Sequence, residues 1–335
     1  MTTKVTKTLI PSSDVTYYAN WIDYDVDATN HHITIFNEYM CPDNMNVTVS
    51  DDIVCKRAET LHEEICDTDG GYMGYCSGWD PGLKHAVGSK VTYGNCGTTG
   101  TLKAGDAFTC DVNGDGKFNE LTERFYYMSE YYNPNTKEYE DDTAVLMYYS
   151  NVNNGLPTNS SQSYHSYDAT GYGLNGPVTA MRQLPTTEQW SNVSLKNTHR
   201  QLLFENFKDN NAAETSGTPL TAGIIDYSNY AARLPHFGEI NKACGEKMSW
   251  MGIGAAGGPL LKCGEYIFES TNYTTASLDY SRGYMLENLG ITGIDALYYR
   301  DFEAALMRPM AVTPERNDVV SVRPVIEVPM NRINY

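Results

Sequence analysis

GDAFTCDVNGDGKFNELTERFYYMSEYY (residues 105–132), followed after Asn133-Pro134-Asn135 by TAVLMYYSNV (143–152), is where the chain declares its architecture. Both runs are rich in aromatic and β-branched residues, and a polar Asn/Pro turn separates them. That pattern predicts an antiparallel hairpin. Inside the first run, Asp111-Val-Asn113-Gly-Asp115-Gly116-Lys117 fits the opening half of a calcium loop, D-x-[DN]-x-[DN]-G. Oxygens at positions 1, 3 and 5 converge on one hard cation, Gly116 permits the sharp turn, and the Lys117 carbonyl adds a further oxygen. Position 12, a bidentate Glu in an EF-hand, holds Thr122, with Glu120 and Glu123 around it. The flanks read as strand rather than as paired helices. The expectation is therefore a lone structural Ca2+ loop at 111–123 with Asp111, Asn113, Asp115, Lys117 and Glu123 as ligands.

Towards the N-terminus, VTYYANW (15–21) and HHITIF (31–36) read as strands, making residues 1–50 a β-rich segment. Residues 51–89 form a Cys-, Gly- and Asp-rich connecting region, in which ETLHEEIC (59–66) has the length of a short helix. Towards the C-terminus, a polar loop at 153–175 precedes two similar segments, Met181-Arg182-Gln183-Leu184-Pro185 and Ala232-Arg233-Leu234-Pro235, each set before a helix-like start. Thr186 and Gln189 have the spacing of a capping box, in which two side chains satisfy orphan helix amides reciprocally. A helix is expected over 187–207 with Trp190, Val193, Leu203 and Phe207 facing inward, and a shorter one ending near Cys244-Gly245. Strands and loops follow, closing with VVSVRPVIEV (319–328). Two helices among many strands make the expected class α+β.

Composition narrows the function. Lys+Arg 24 against Asp+Glu 42 leaves a net charge of −18 over 335 residues, which repels phosphate backbones and argues against nucleic-acid binding. The 26 tyrosines are too many for a disordered chain. The longest apolar run, Met251 to Leu261, falls well short of the ~20 residues that span a bilayer, so no membrane insertion is expected. MTTKVTKTLIP at the start has no apolar core of a signal peptide, so export is expected to use a signal upstream or already removed. The eight cysteines, Cys41, Cys55, Cys66, Cys76, Cys96, Cys110, Cys244 and Cys263, lack the Cys-x-x-Cys spacing of zinc sites. They point to disulfides and an oxidising location. Local pairing 41–55, 66–76, 96–110 and 244–263 is the simplest arrangement, each short loop contributing about 3 kcal/mol.

Catalytic signatures are missing from the sequence. His31, His32, His62, His85, His165, His199 and His236 form no H-E-x-x-H, and neither G-x-S-x-G nor a phosphate loop occurs. Among 42 acidic residues nothing singles out a glycosidase pair.

ARLP-x-x-x-E-I (232–240), CGEYIFE (263–269), GYMLENL (283–289) and VVSVRPVIEV (319–328) follow one another in this order. Together they resemble the end of a C-type-lectin-like domain of the formylglycine-generating-enzyme-like branch, with Met285 where that branch usually has Trp. Residues 105–132 and QLPTTEQWSNVSLKN (183–197) are similar to exported or prophage-encoded proteins of gut Firmicutes. DVTYYANW (14–21) resembles the closing strand of an internalin-type B repeat, which would set the end of a stalk before the main domain. The resemblance implies a lectin-like domain over 90–335, with a twisted antiparallel sheet and two helices, preceded by a small β-rich disulfide-containing region. Oxidase chemistry in that branch needs a late cysteine pair, and Cys263 is the only cysteine after 244. The E-P-N, Q-P-D and W-N-D sugar motifs are missing as well.

The resemblance further implies that the stretch 288–318 displays ligand-binding side chains: Tyr298, Tyr299, Arg300, Phe302, Arg308 and Met310. Tyr, Arg and Met are enriched at interface centres. A competing reading makes Tyr298, Phe302 and Leu306 the buried side of a short helix. The function expected from all this is a non-catalytic adhesion or receptor-binding module on a cell or virion surface, with a surface protein or glycan as partner. A self-associating subunit or cap of a pilus-like or phage assembly, and an unrecognised enzyme, are the alternatives.

Overall fold

The structure is a computed structural model that describes residues 23–27, 32–42, 52–65, 90–158, 178–202, 223–243, 283–284, 286–287, 296–301, 306–311 and 322–335. Its N-terminal strands are β1 (Asp23–Asp27), β2 (His32–Met40), β3 (Cys55–Arg57), β4 (Thr60–Ile65), β5 (Lys90–Tyr93) and β6 (Ala107–Cys110). The long pair β7 (Arg124–Asn133) and β8 (Glu138–Tyr148) comes next, then β9 (Asn151–Asn153) and β10 (Leu156–Thr158). A one-turn helix α1 (Val178–Met181), β11 (His199–Leu202), β12 (Gly223–Asp226) and helix α2 (Phe237–Ala243) follow. The chain ends with β13 (Gly283–Tyr284), β14 (Ala296–Asp301), β15 (Leu306–Ala311), β16 (Val325–Pro329) and β17 (Ile333–Asn334).

The expected hairpin forms. β7 and β8 pair antiparallel, and their turn is built by Asn133, whose Oδ1 accepts the Asn135 amide at 2.9 Å while its carbonyl accepts that of Lys137 at 2.8 Å. Around this hairpin lies a six-stranded sheet in the order β16-β8-β7-β6-β3-β17, antiparallel except for the parallel pair β3/β17. Phe125, Tyr126, Met128, Val145, Leu146 and Met147 are almost wholly buried, as continuous apolar runs at the middle of a covered sheet should be. Trp190 covers one part, packing edge-on against Phe125 and Tyr148 at 5.7 and 5.2 Å between ring centres. Near α2, His236 stacks on Tyr132 at 4.6 Å, and the Tyr139 hydroxyl donates to the Gly238 carbonyl at 2.7 Å.

A second sheet has the order β1-β2-β4-β5, and β3, from the segment expected to be a connector, sits inside the main sheet between β6 and β17.

The α+β class with two bracing helices is overturned. The described residues are mostly strand, and their helix is limited to α1, α2 and a single 3-10 turn at Met330–Arg332. The C-type-lectin-like architecture expected of residues 90–335 falls with it. The expected shorter helix does form, as α2 ending at Ala243, whereas the longer one over 187–207 does not, and the cause is visible. The Thr186/Gln189 capping box does form: the Gln189 amide donates to Thr186 Oγ1 at 3.2 Å, and the Thr186 amide to Gln189 Oε1 at 2.9 Å. One turn later, however, the Asn192 amide donates to the Val112 carbonyl at 3.0 Å instead of to its own helix. The chain then runs on to β11, which pairs with β12. Trp190 and Val193 are buried as expected, while Leu203 and Phe207 lie outside the described residues. The short helix at 59–66 is also corrected: Thr60–Ile65 is β4, paired antiparallel with β2 on one side and β5 on the other.

Two cysteine pairs stand at disulfide distance, Cys41–Cys96 and Cys55–Cys110, in place of the expected 41–55 and 96–110. Sheet register explains the exchange. Cys55 and Cys110 face each other across β3 and β6, next to the bond from the Asp111 amide to the Val54 carbonyl. This is a non-hydrogen-bonded pair, where side chains approach most closely, and the two Cα atoms are 4.1 Å apart. The pairs 66–76 and 244–263 lie outside the described residues.

Candidate functional site

The 111–123 loop leaves the end of β6 and returns into β7, so both ends are fixed in the main sheet. Asp111 organises it. One carboxylate oxygen accepts the amides of Gly114 and Asp115 at 2.9 and 3.1 Å, and the other that of Gly116 at 3.1 Å. Asn113 Oδ1 accepts the Asp115 amide and Asp115 Oδ1 the Lys117 amide, both at 2.8 Å. Gly114 and Gly116 have φ of +76° and +77°, the left-handed conformation that other residues adopt only with strain.

The second half of the loop folds Glu123 inward. The Asn119 carbonyl accepts the amides of Thr122 and Glu123 at 3.2 and 2.8 Å, and the Asn119 amide donates to Glu123 Oε2 at 3.0 Å. Glu123 is only 4% exposed and Asp111 6%, whereas Asn113, Asp115 and Lys117 are exposed. Glu123 Oε1 is buried with no hydrogen-bond partner among the described residues. Burial pushes the Glu123 carboxyl up to about 7; the Asn119 amide opposes this, and the negative charges of Asp111 and Asp115 add to it. Glu120, the other flanking acid, is engaged elsewhere: its carboxylate accepts the Glu59 amide at 2.9 Å and the Thr60 hydroxyl.

The loop is also a junction. Asn192 Nδ2 donates to the Asp111 carbonyl and Ser191 Oγ to the Asn113 carbonyl, both at 2.8 Å. The Arg332 guanidinium donates in turn to Asn192 Oδ1 at 3.0 Å, and Tyr148 Oη donates to the Thr122 carbonyl at 2.7 Å. Loop, 186–192 turn and the 3-10 turn at Met330–Arg332 are thus tied together. All available donors are oxygen, a set suited to hard cations. Among the described residues no group of three or more His, Cys, Asp or Glu side chains is gathered in metal-binding geometry.

A second polar centre escaped the sequence reading. Arg200, Arg233, Glu239, Glu287 and Glu327 are all buried, in contact with one another. Arg200 Nε donates to both Glu287 oxygens at 2.8 and 2.9 Å and its Nη1 to the Tyr131 hydroxyl at 2.7 Å. Arg233 bridges Glu239 and Glu327, and its own strand neighbour across the bridge is Val325. The Lys196 amide donates to Glu327 Oε2 at 2.6 Å. Burial works to raise the Glu287 carboxyl, yet the guanidiniums of Arg200 and Arg233, with His236, hold it below the ordinary range. Such a network fixes the relative position of its elements. Its signal was present: Arg233 and Glu239 lie in ARLP-x-x-x-E-I, Glu287 in GYMLENL and Glu327 in VVSVRPVIEV. Three of the four ordered motifs thus contribute to one ion cluster, and CGEYIFE lies outside the described residues.

The late segment forms a three-stranded antiparallel sheet, β13-β14-β15, rather than the short helix of the competing reading. Register sets Tyr298 opposite Pro309, Tyr299 opposite Arg308 and Leu297 opposite Met310. Phe302 lies outside the described residues.

No helix among the described residues is long and apolar enough to cross a membrane. No protein-family model, curated protein or solved structure matches the chain, and nothing identifies a C-type-lectin-like or formylglycine-generating-enzyme-like domain.

Proposed function

We propose that this chain is an exported, non-catalytic surface module that binds a surface protein or glycan outside the cell. The observation that carries the reading is the pair of bridges Cys41–Cys96 and Cys55–Cys110, the second set directly across the main sheet, since structural disulfides persist where the environment is oxidising. The described buried acids support a binding role over catalysis, because Glu239, Glu287 and Glu327 are matched to Arg200 and Arg233 inside the core. Either a cell surface or a virion surface satisfies these conditions.

Within this reading the β13-β14-β15 sheet is the ligand-binding element, through Tyr298, Tyr299, Arg300, Arg308 and Met310. Binding of the purified, oxidised chain to glycan and cell-surface arrays should fall at least about tenfold in a Tyr299→Ala/Arg308→Ala variant, in a Tyr298→Ala/Arg300→Ala variant or in both, since interface energy concentrates in a few residues. Parental binding by both variants would remove this sheet from the interface. Natively purified protein with free thiols at Cys55 and Cys110 would remove the extracellular assignment.

A further inference from the structure

We infer that the 111–123 loop is a calcium site, with Asp111, Asn113, Asp115, the Lys117 carbonyl and Glu123 as ligands, and that the ion fastens this loop to the turn at 186–192. The inference does not depend on the surface-module reading. The loop's acidic spacing alone would be weak ground, since Asp/Asn/Gly turns stabilise themselves through the same amide bonds seen here. Glu123 is the independent observation. It is drawn under the loop by Asn119, it is 96% removed from solvent, and its Oε1 has no donor among the described residues. A buried carboxylate oxygen without a donor calls for a cation or a proton.

The donor set favours calcium over magnesium. It combines a buried carboxylate, a side-chain amide, exposed carboxylate and a main-chain carbonyl on a turn with two left-handed glycines, matching the irregular six-to-eight oxygen shell of Ca2+ better than the strict octahedron of Mg2+. Glu120 cannot substitute for Glu123, because both its oxygens are bound at the start of β4. Fastening follows from the outer bonds. The Asp111 and Asn113 carbonyls accept Asn192 Nδ2 and Ser191 Oγ, and the Val112 carbonyl accepts the Asn192 amide, so ordering the loop orders its contact with the turn.

The test uses the full oxidised chain, stripped with chelator and titrated with Tb3+ and then Ca2+. Trp190 lies 5.2 Å from Tyr148, whose hydroxyl reaches the loop at Thr122, so bound Tb3+ should luminesce on aromatic excitation. Saturable Tb3+ emission displaced by Ca2+ is expected, with a Ca2+ affinity of about 10⁻⁴–10⁻³ M and a melting temperature that rises with Ca2+ more than with Mg2+. Asp115→Asn and Glu123→Gln should each weaken Ca2+ at least about tenfold, because affinity follows ligand charge. Asp141→Asn, an exposed acid on β8, should leave it unchanged. A parent without saturable Tb3+ emission or a Ca2+-dependent melting shift, or Asp115→Asn and Glu123→Gln variants that bind like the parent, would overturn the site. Ca2+ binding that leaves hydrogen exchange at the Asn192 amide unchanged would overturn the fastening.

Discussion

Replacing Cys55 and Cys110 together with alanine should lower the stability of this protein by about 4 kcal/mol. The figure follows from the 55-residue separation that the bridge closes, through the loop entropy released in the unfolded chain. The folded state should change little, because the pair sits where β3 and β6 already oppose each other and the bond from the Asp111 amide to the Val54 carbonyl keeps the strands in register. At about 2–4 °C per kcal/mol for a domain of this order of size, the melting temperature should fall by about 8–16 °C. Scanning calorimetry of parent and double variant measures the drop, and a non-reducing peptide map identifies the linked partners. Since Cys41–Cys96 spans the same 55 residues, its double alanine variant should fall by a similar amount. A loss under about 2 °C in the Cys55/Cys110 variant, or a parental map joining Cys41 to Cys55, would refute the register argument.

Two further outcomes concern the buried ion cluster. Arg233→Met should destabilise by about 3–5 kcal/mol, measured by urea unfolding, because Glu239 would stay buried without its cation and Glu327 would keep only the cation of Arg200, 3.7 Å away. Glu287 adds a pH signature. Its folded pKa lies below the ordinary 4.5, so its stabilisation is complete above that value and is lost as pH falls through the lower folded one. The melting temperature of Glu287→Gln should therefore lie well below the parent's at about pH 7, with the gap narrowing below about pH 4.5. A gap that stays constant down to about pH 3 would refute the assignment of that charge.

What the sequence revealed depended on distance along the chain. The β7/β8 hairpin was legible because its strands and its Asn133 turn are contiguous, and the Thr186/Gln189 capping box because its bonds span three residues. The end of that helical turn was not legible, since it is set by the Val112 carbonyl, eighty residues away from Asn192. Cysteine spacing failed for the same reason: loop entropy only weakly favours short loops, whereas strand register dictates which sulfurs meet. At the loop, residue types and spacing identified the organising Asp111 and the inward Glu123. The contacts with Ser191, Asn192 and Arg332 required the fold. Charged residues inside apolar strands, such as Glu327 in VIEV, were the readable trace of the ion cluster, but their mutual pairing was not.

The two cystine spans interleave: Cys41 and Cys96 enclose Cys55, while Cys110 lies beyond. A single backbone cut anywhere from 41 to 110 therefore leaves the fragments covalently joined, by one staple near the ends of this stretch and by both in its middle. For a chain exposed to proteases, nicking of that region would be silent until a reductant arrives, and the strands on either side of the wound could stay in place.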